Sequence, residues 1–260
     1  MTFETYARGW LERQTKYAPG TIAFYRRSLE TVFPEIGAIK LNKLRPIALE
    51  NLLAKLRKRT HRGKSIKEKT VQKYLTVVSA VLSDAKRNEI IEKNPARMID
   101  LPDAERKAQE IPTMEEMQKF LSALCYEEPV FQLFYFLAIN TGMRRGECCA
   151  LKWEDINYAE RSIHVCRNAV KTTGDEIIVK APKTKAGNRY VYFSAEMESL
   201  LREYEAFCAA ETERYDRRKQ TKDDYVFRRK GMKLPMTPSI FTWRFKKILK
   251  ANDLPTDLNV

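Results

Sequence analysis

Thr141-Gly142-Met143-Arg144-Arg145-Gly146-Glu147, running on through Leu151, Trp153 and Asp155, is the stretch from which the rest of this chain can be read. It follows Val130 to Ile139, a run too apolar for a surface loop. Thr141-Gly142 breaks that run, because glycine takes the left-handed conformation that a helix end needs. A second, short helix is expected to begin at once, with Arg144 and Glu147 one turn apart on the same face. A carboxylate at that spacing fixes the guanidinium fork. An arginine held this way at a rigid, partly buried corner suits bidentate contact with a phosphate.

Written as Thr-Gly-x-Arg-x-x-Glu followed by Leu-x-Trp-x-Asp, the stretch resembles the first-arginine motif of the phage integrase family, the tyrosine recombinases. The matched positions are Thr141, Gly142, Arg144, Glu147, Leu151, Trp153 and Asp155. The resemblance implies that Arg144 is one of two arginines that clamp a scissile phosphate, with Glu147 supporting the site. An ordinary surface ion pair is the plainer reading of the heptad alone, and the longer match weighs against it.

The composition agrees with such a role. The chain has 260 residues, enough for two domains, and 43% of them are hydrophobic, enough for proper cores. A net charge of +14 implies a polyanionic partner, with nucleic acid the usual one and an anionic membrane surface its competitor. No run of 18 apolar residues and no leader with a cleavage site is found. The expectation is a soluble, cytoplasmic, nucleoid-associated bacterial protein without membrane contact. The five cysteines are an odd number, and adjacent Cys148-Cys149 suit neither a zinc site nor a disulfide framework. They are expected to pack as small hydrophobes. With His61 and His164 the only histidines, no metal and no cofactor is expected.

The expected architecture is mainly α with a small antiparallel β-sheet. A helical domain covers residues 1–98, a linker 99–111, and an α+β domain 112–260. In the first, apolar positions recur at helical spacing near Thr2 to Thr15, then from Pro19 until Pro34 and Gly37 end the second helix. A third helix starts at Pro46, with Ile47, Leu49, Leu52, Leu53 and Leu56 as its apolar residues. A basic loop follows, from Arg57 to Lys64. The fourth helix carries the stripe Val71, Leu75, Val78, Val81, Leu82 and Ala85. Lys67, Lys69 and Lys73 at its start oppose the helix dipole, a misfit that facing phosphates would relieve. This region resembles the family's core-binding domain, through Trp10-Leu11, Thr21 with Tyr25, Thr70 and Asn94-Pro95. The resemblance implies helices set into the major groove.

The second domain opens on a capping box, Thr113 with Glu116. After Asp155 the period changes to two. Ser162 to Cys166, Glu176 to Val179 and Arg189 to Phe193 are expected to form one small sheet. The turn Pro182-Lys183-Thr184-Lys185-Ala186-Gly187-Asn188-Arg189 resembles the family's Lys-Thr-Lys hairpin. Lys183 thereby becomes the expected donor of a proton to the departing 5′ oxygen, with Lys185 as the alternative. Lys185 and Arg189 are also expected to touch DNA, as are Arg228, Arg229 and Lys230 in a dense basic run. Leu200 and Ile240 are expected to face inward from the last two helices.

The resemblance also implies a His-x-x-Arg and then a nucleophilic tyrosine downstream of the lysine. His164 to Arg167 spells those letters, but upstream of Lys183 and in an expected strand. No tyrosine inherits the role. The expectation is therefore a truncated recombinase, from a broken gene or as part of a longer chain, that binds double-stranded DNA at recombination sites without cleaving it. The family works as a tetramer on two duplexes and needs neither metal nor nucleotide, because arginines stabilise the charged phosphorane. A non-catalytic DNA-binding regulator or decoy on the same scaffold is the rival. An RNA-binding module is disfavoured, because no aromatic-rich sheet signature is seen.

Overall fold

A computed structural model describes residues 1–61, 63–102, 111–172, 176–182 and 185–258. The chain divides into two compact units, Met1–Lys107 and Ala108–Val260.

The first unit is helical around an aliphatic core. Helix α1 (Phe3–Glu12) starts where the Thr2 hydroxyl accepts from the Thr5 N–H, and it buries Phe3, Tyr6 and Trp10. Helix α2 (Pro19–Ile36) runs through Pro34, which was expected to end it. Pro34 lies in the last turn, where its missing N–H removes a single bond. The helix stops at Gly37, whose N–H reaches the Phe33 carbonyl at 2.8 Å. Helix α3 (Pro46–Lys58) buries Leu49, Leu52, Leu53 and Leu56. Ile47, expected among them, is exposed, because it sits on the other side of the helix. The expected basic loop is instead the end of α3 followed by a small hairpin, β1 (Thr60–His61) with β2 (Lys64–Ser65). Helix α4 (Glu68–Arg87) buries the whole expected stripe. Lys67 is its N-cap, and Lys67, Lys69 and Lys73 are all exposed. Asn94 closes the unit by giving its amide to the Ser79 carbonyl and the Ser83 hydroxyl and accepting from the Ala96 N–H.

In the second unit, helix α5 (Met114–Leu124) carries the full capping box: Thr113 N–H to Glu116 Oε2 at 2.8 Å, and Glu116 N–H to Thr113 Oγ1 at 3.2 Å. Helix α6 (Pro129–Thr141) is the central apolar element, and Gly142 ends it at φ 62°, the left-handed cap its position required. Helix α7 (Arg145–Cys149) follows directly. The strands are β3 (Ile156–Asn157), β4 (Ser162–Val165), β5 (Asn168–Lys171), β6 (Ile177–Lys180) and β7 (Arg189–Tyr192).

They do not make one sheet. Strand β4 pairs with β3 and, through Ile163 opposite Val191, with β7. Strand β6 pairs with β5, Ala169 opposite Val179. The chain leaves the first sheet at Cys166-Arg167, where Arg167 Nη2 is pinned to both oxygens of Asp155 at 2.5 Å. That anchor turns the next four residues into a separate ribbon.

Helix α8 (Ala195–Asp216) is capped by Ser194, and helix α9 (Pro238–Ala251) packs onto α6. Phe241 stacks on Phe134 with centroids 3.6 Å apart, and the buried Tyr135 hydroxyl donates to the Phe241 carbonyl at 2.6 Å. Leu200 and Ile240, expected inside, lie at the border of exposure. Among the described residues, no helix is long and apolar enough to cross a membrane.

Candidate functional site

Gly142, φ-positive and exposed, ends α6, and two residues later Arg144 is the N-cap of α7. Glu147, at the third helical position, folds back so that its Oε2 accepts the Arg144 N–H at 2.9 Å. Its Oε1 takes the Arg144 guanidinium at 2.8 Å. The carboxylate is therefore both cap and clamp. Its side chain is only 3% exposed, while that of Arg144 is 74% exposed. A buried anion thus fixes one edge of a guanidinium whose other edge faces solvent, which is the geometry for binding an oxyanion.

A second arginine completes the group. Arg189, the first residue of β7, donates from Nη2 to Glu147 Oε2 at 2.9 Å. Burial pushes the Glu147 carboxyl up, but the Arg189 hydrogen bond, the Arg144 N–H and the Arg144 guanidinium together outweigh it and hold the carboxyl below its ordinary value. Arg189 was expected to touch DNA. Its guanidinium is turned toward the carboxylate and is 29% exposed. The sequence gives no sign of this contact, because the partners are 42 residues apart.

Gly146 explains how the short helix is seated. A Cβ there would lie 2.3 Å from Asn168 Oδ1 and 2.7 Å from the Ala169 carbonyl oxygen, so α7 lies directly on β5. A glycine in so short a helix is the one sequence signal that could have pointed to that ribbon. Beside this contact lies an open groove of about 560 Å³, lined by Arg144, Arg145, Asn168, Lys171 and the start of α9 at Pro238. Arg145 is tied to the Thr242 hydroxyl.

Leu151, Trp153 and Asp155 form the support behind the site. All three are buried. Asp155 accepts the Lys152 N–H at 2.8 Å as well as Arg167. His164 stacks on Tyr190 with centroids 4.7 Å apart and shares a 2.7 Å hydrogen bond with Asn188, so His164 and Arg167 serve separate partners.

Lys183 and Thr184 lie outside the described residues. So does the side chain of Lys185, whose backbone forms a 3-10 turn, Lys185–Gly187. Lys230 is exposed, with Nζ 3.0 Å from Glu211. Arg229 is half-buried and bonds the Thr237 hydroxyl at 2.5 Å. Arg228, expected to face phosphate, lies against Asp216. It is 10% exposed, 2.7 Å from Asp216, and bonded to the Thr212 hydroxyl. A run dense in positive charge reads as surface, but this arginine neutralises an aspartate at the end of α8.

The five cysteines are free thiols; Cys148, Cys149 and Cys208 are buried, whereas Cys125 is exposed and Cys166 half-buried. Burial pushes Cys148 up to about 12, which makes it an inert packing residue. Ligand atoms of Asp155, His164 and Cys166 lie within 4.8 Å of one another, the one such metal-capable group among the described residues. Both Asp155 oxygens already hold Arg167, and burial raises the Cys166 thiol, so this donor set fits a cation poorly.

Comparison with known proteins bears on the whole of both units. The sequence model of the phage integrase family matches residues 112–259, and that of the phage integrase central domain matches residues 3–101. The ICEBs1 integrase of Bacillus subtilis (strain 168) is 29% identical over 191 residues, which is 73% of this chain and 50% of that protein. The chain spans about half the length of the curated relatives it matches. Among solved structures, the Tn1549 transposon integrase in complex with transposon right end DNA superposes with a TM-score of 0.82 at 17% identity, covering 100% of this chain and 82% of that one. A lambda integrase tetramer bound to a Holliday junction superposes with a TM-score of 0.64 at 15% identity, covering 98% and 67%.

Proposed function

The chain belongs to the phage integrase family, and from that premise we propose that it acts on double-stranded DNA as a site-specific recombinase of the tyrosine type. The observation that carries the reading is the exposed Arg144 guanidinium fixed on the buried Glu147 carboxylate. In this reading Arg144 binds a non-bridging oxygen of the scissile phosphate. Charge develops there as a tyrosine hydroxyl attacks phosphorus and the 5′ oxygen leaves. The products are a 3′-phosphotyrosyl bond and a free 5′ hydroxyl, and attack by a partner strand's 5′ hydroxyl reverses the step. Bond energy is kept in the protein link, so no nucleotide is consumed. Lys183 protonates the leaving oxygen, with Lys185 as the alternative.

Residues 1–98 then act as the core-binding domain, 99–111 as the linker and 112–260 as the catalytic domain. Lys67, Lys69, Lys73, Lys185, Arg229 and Lys230 contact backbone phosphates. Four protomers act on two duplexes, as in the lambda integrase tetramer on its junction. The setting is the bacterial cytoplasm, at the nucleoid.

A second reading is DNA binding without cleavage. None of the 12 tyrosines in these 260 residues follows a His-x-x-Arg downstream of Lys183. None is therefore assigned as nucleophile.

One experiment separates the readings. Duplexes retained from a randomised pool are sequenced and remade with a nick inside the protected segment. They are then incubated with the chain and run on a denaturing gel. Convergent sequences bound in a salt-dependent way support the family role. A covalent adduct on that background favours cleavage, and its absence favours binding alone. Failure to retain any duplex contradicts both.

A further inference from the structure

Arg189 has a place in the site that no motif assigns. Its Nη2 lies 2.9 Å from Glu147 Oε2, the same oxygen that caps the Arg144 N–H. The other oxygen, Oε1, holds the Arg144 guanidinium. One carboxylate is thus gripped from two sides, by the first residue of β7 and by the N-terminus of α7. Glu147 is at the third position of its helix and 3% exposed, so it has no water shell to complete its hydrogen bonds. A carboxylate has room for about four donors, and these three are the ones that reach it among the described residues.

We propose that Arg189 is a positioning residue for Arg144. By occupying Glu147 Oε2 it keeps the carboxylate ionised and in one rotamer, so that Oε1 presents the Arg144 guanidinium in a single orientation. The proposal rests on the reading of Arg144 as the phosphate-binding group. It differs from direct DNA contact, because Arg189 acts through Glu147 and not on the phosphate. It also ties β7 to the corner that presents Arg144, through one hydrogen bond between elements far apart in sequence.

Two outcomes follow from the geometry. Without Arg189 the burial of Glu147 is opposed only by Arg144, so the carboxyl takes up a proton more readily. A protonated Glu147 grips Arg144 weakly, and the exposed guanidinium rotates freely.

The test begins without DNA. In free protein, the Glu147 side-chain carboxyl is titrated by NMR, and the Arg144 guanidinium N–H resonances are followed, in wild type, R189M and R189K. The expected result is an upward move of the Glu147 titration in R189M, loss of the restricted Arg144 resonances, and partial rescue in R189K, which restores one charged donor. If R189M gives no dispersed spectrum, R189Q, which keeps one neutral donor, carries the same comparison. An unchanged Glu147 titration and unchanged Arg144 resonances overturn the proposal. A DNA arm then compares R189M, R144A and the double variant on the retained duplex. Positioning predicts that R189M weakens binding roughly tenfold alone and adds nothing in the R144A background. Additive losses, with a further fall in salt slope, mean that Arg189 itself contacts phosphate and overturn the proposal. Wild-type protein that binds no duplex sinks the functional reading but leaves the NMR result to decide the role of Arg189.

Discussion

Glu147 Oε2 accepts from Arg189 Nη2 at 2.9 Å while its other oxygen holds Arg144, so two guanidiniums converge on one carboxylate that is 3% exposed. Replacing it by glutamine keeps the shape but sets an amide donor against a guanidinium donor. E147Q is expected to lose roughly 2–4 kcal/mol of stability. Urea unfolding at pH 7 checks this. A midpoint equal to wild type would mean that the cluster is held by its surroundings and not by the carboxylate.

Gly146 sits where a side chain has no room. G146A places a Cβ against Asn168 and the Ala169 carbonyl, and is expected to destabilise by about 1–3 kcal/mol and to weaken DNA binding by shifting α7. G20A is the control, because nothing lies within 4 Å of that position. Thermal melts of the two variants decide it, and equal melting temperatures would contradict the close seating of α7 on β5.

Asp224 is buried, takes both forks of Arg218 at 2.7 Å, and caps the Thr221 N–H at 2.8 Å. Burial raises its carboxyl, but Arg218 and the Thr221 N–H overcome this and hold it at about 2. An unfolded aspartate titrates near about 3.9. The folded carboxyl is depressed, so its contribution is fully present above about pH 4 and is lost as pH falls toward about 2. D224N should flatten the loss of stability over that window. Parallel pH slopes for wild type and D224N would show that Asp224 contributes nothing to acid sensitivity.

Tyr135 and Phe241 join α6 to α9 by a hydroxyl-to-carbonyl bond of 2.6 Å, beside the Phe134–Phe241 stack. Y135F is expected to cost about 1–2 kcal/mol by removing the buried hydroxyl-to-carbonyl bond. F241A should cost about 3–5 kcal/mol by opening a cavity under the site. Guanidinium titrations rank the two, and a reversed order would argue that the hydrogen bond matters more than the stack.

Local signals in the sequence were legible, and pairings between distant segments were not. Gly142 ended α6 and Thr113 capped α5 as their chemistry requires, because both depend on neighbours within a few residues. The stripe of α4 was equally plain. Strand β5 was missed because Asn168-Ala169-Val170-Lys171 is too short and mixed to show a period, and only its ladder with β6 makes it a strand. Pro34 misled because position within a helix, not residue type alone, decides whether proline ends it. In the site, the pairing of Arg144 with Glu147 was readable at helical spacing. The turns of Arg189 toward Glu147 and of Arg228 toward Asp216 depend on the tertiary fold, and a charged letter does not say which way its side chain turns.

The most direct test of the account is the affinity of the chain for its retained duplex as a function of salt, measured by fluorescence anisotropy for wild type and R144A. If Arg144 binds a backbone phosphate, wild type binds with a steep salt dependence. R144A then binds more weakly, and its slope is shallower by about 0.9, the value for one lost phosphate contact. Equal affinities and equal slopes would contradict the assignment of Arg144 as the phosphate-binding group.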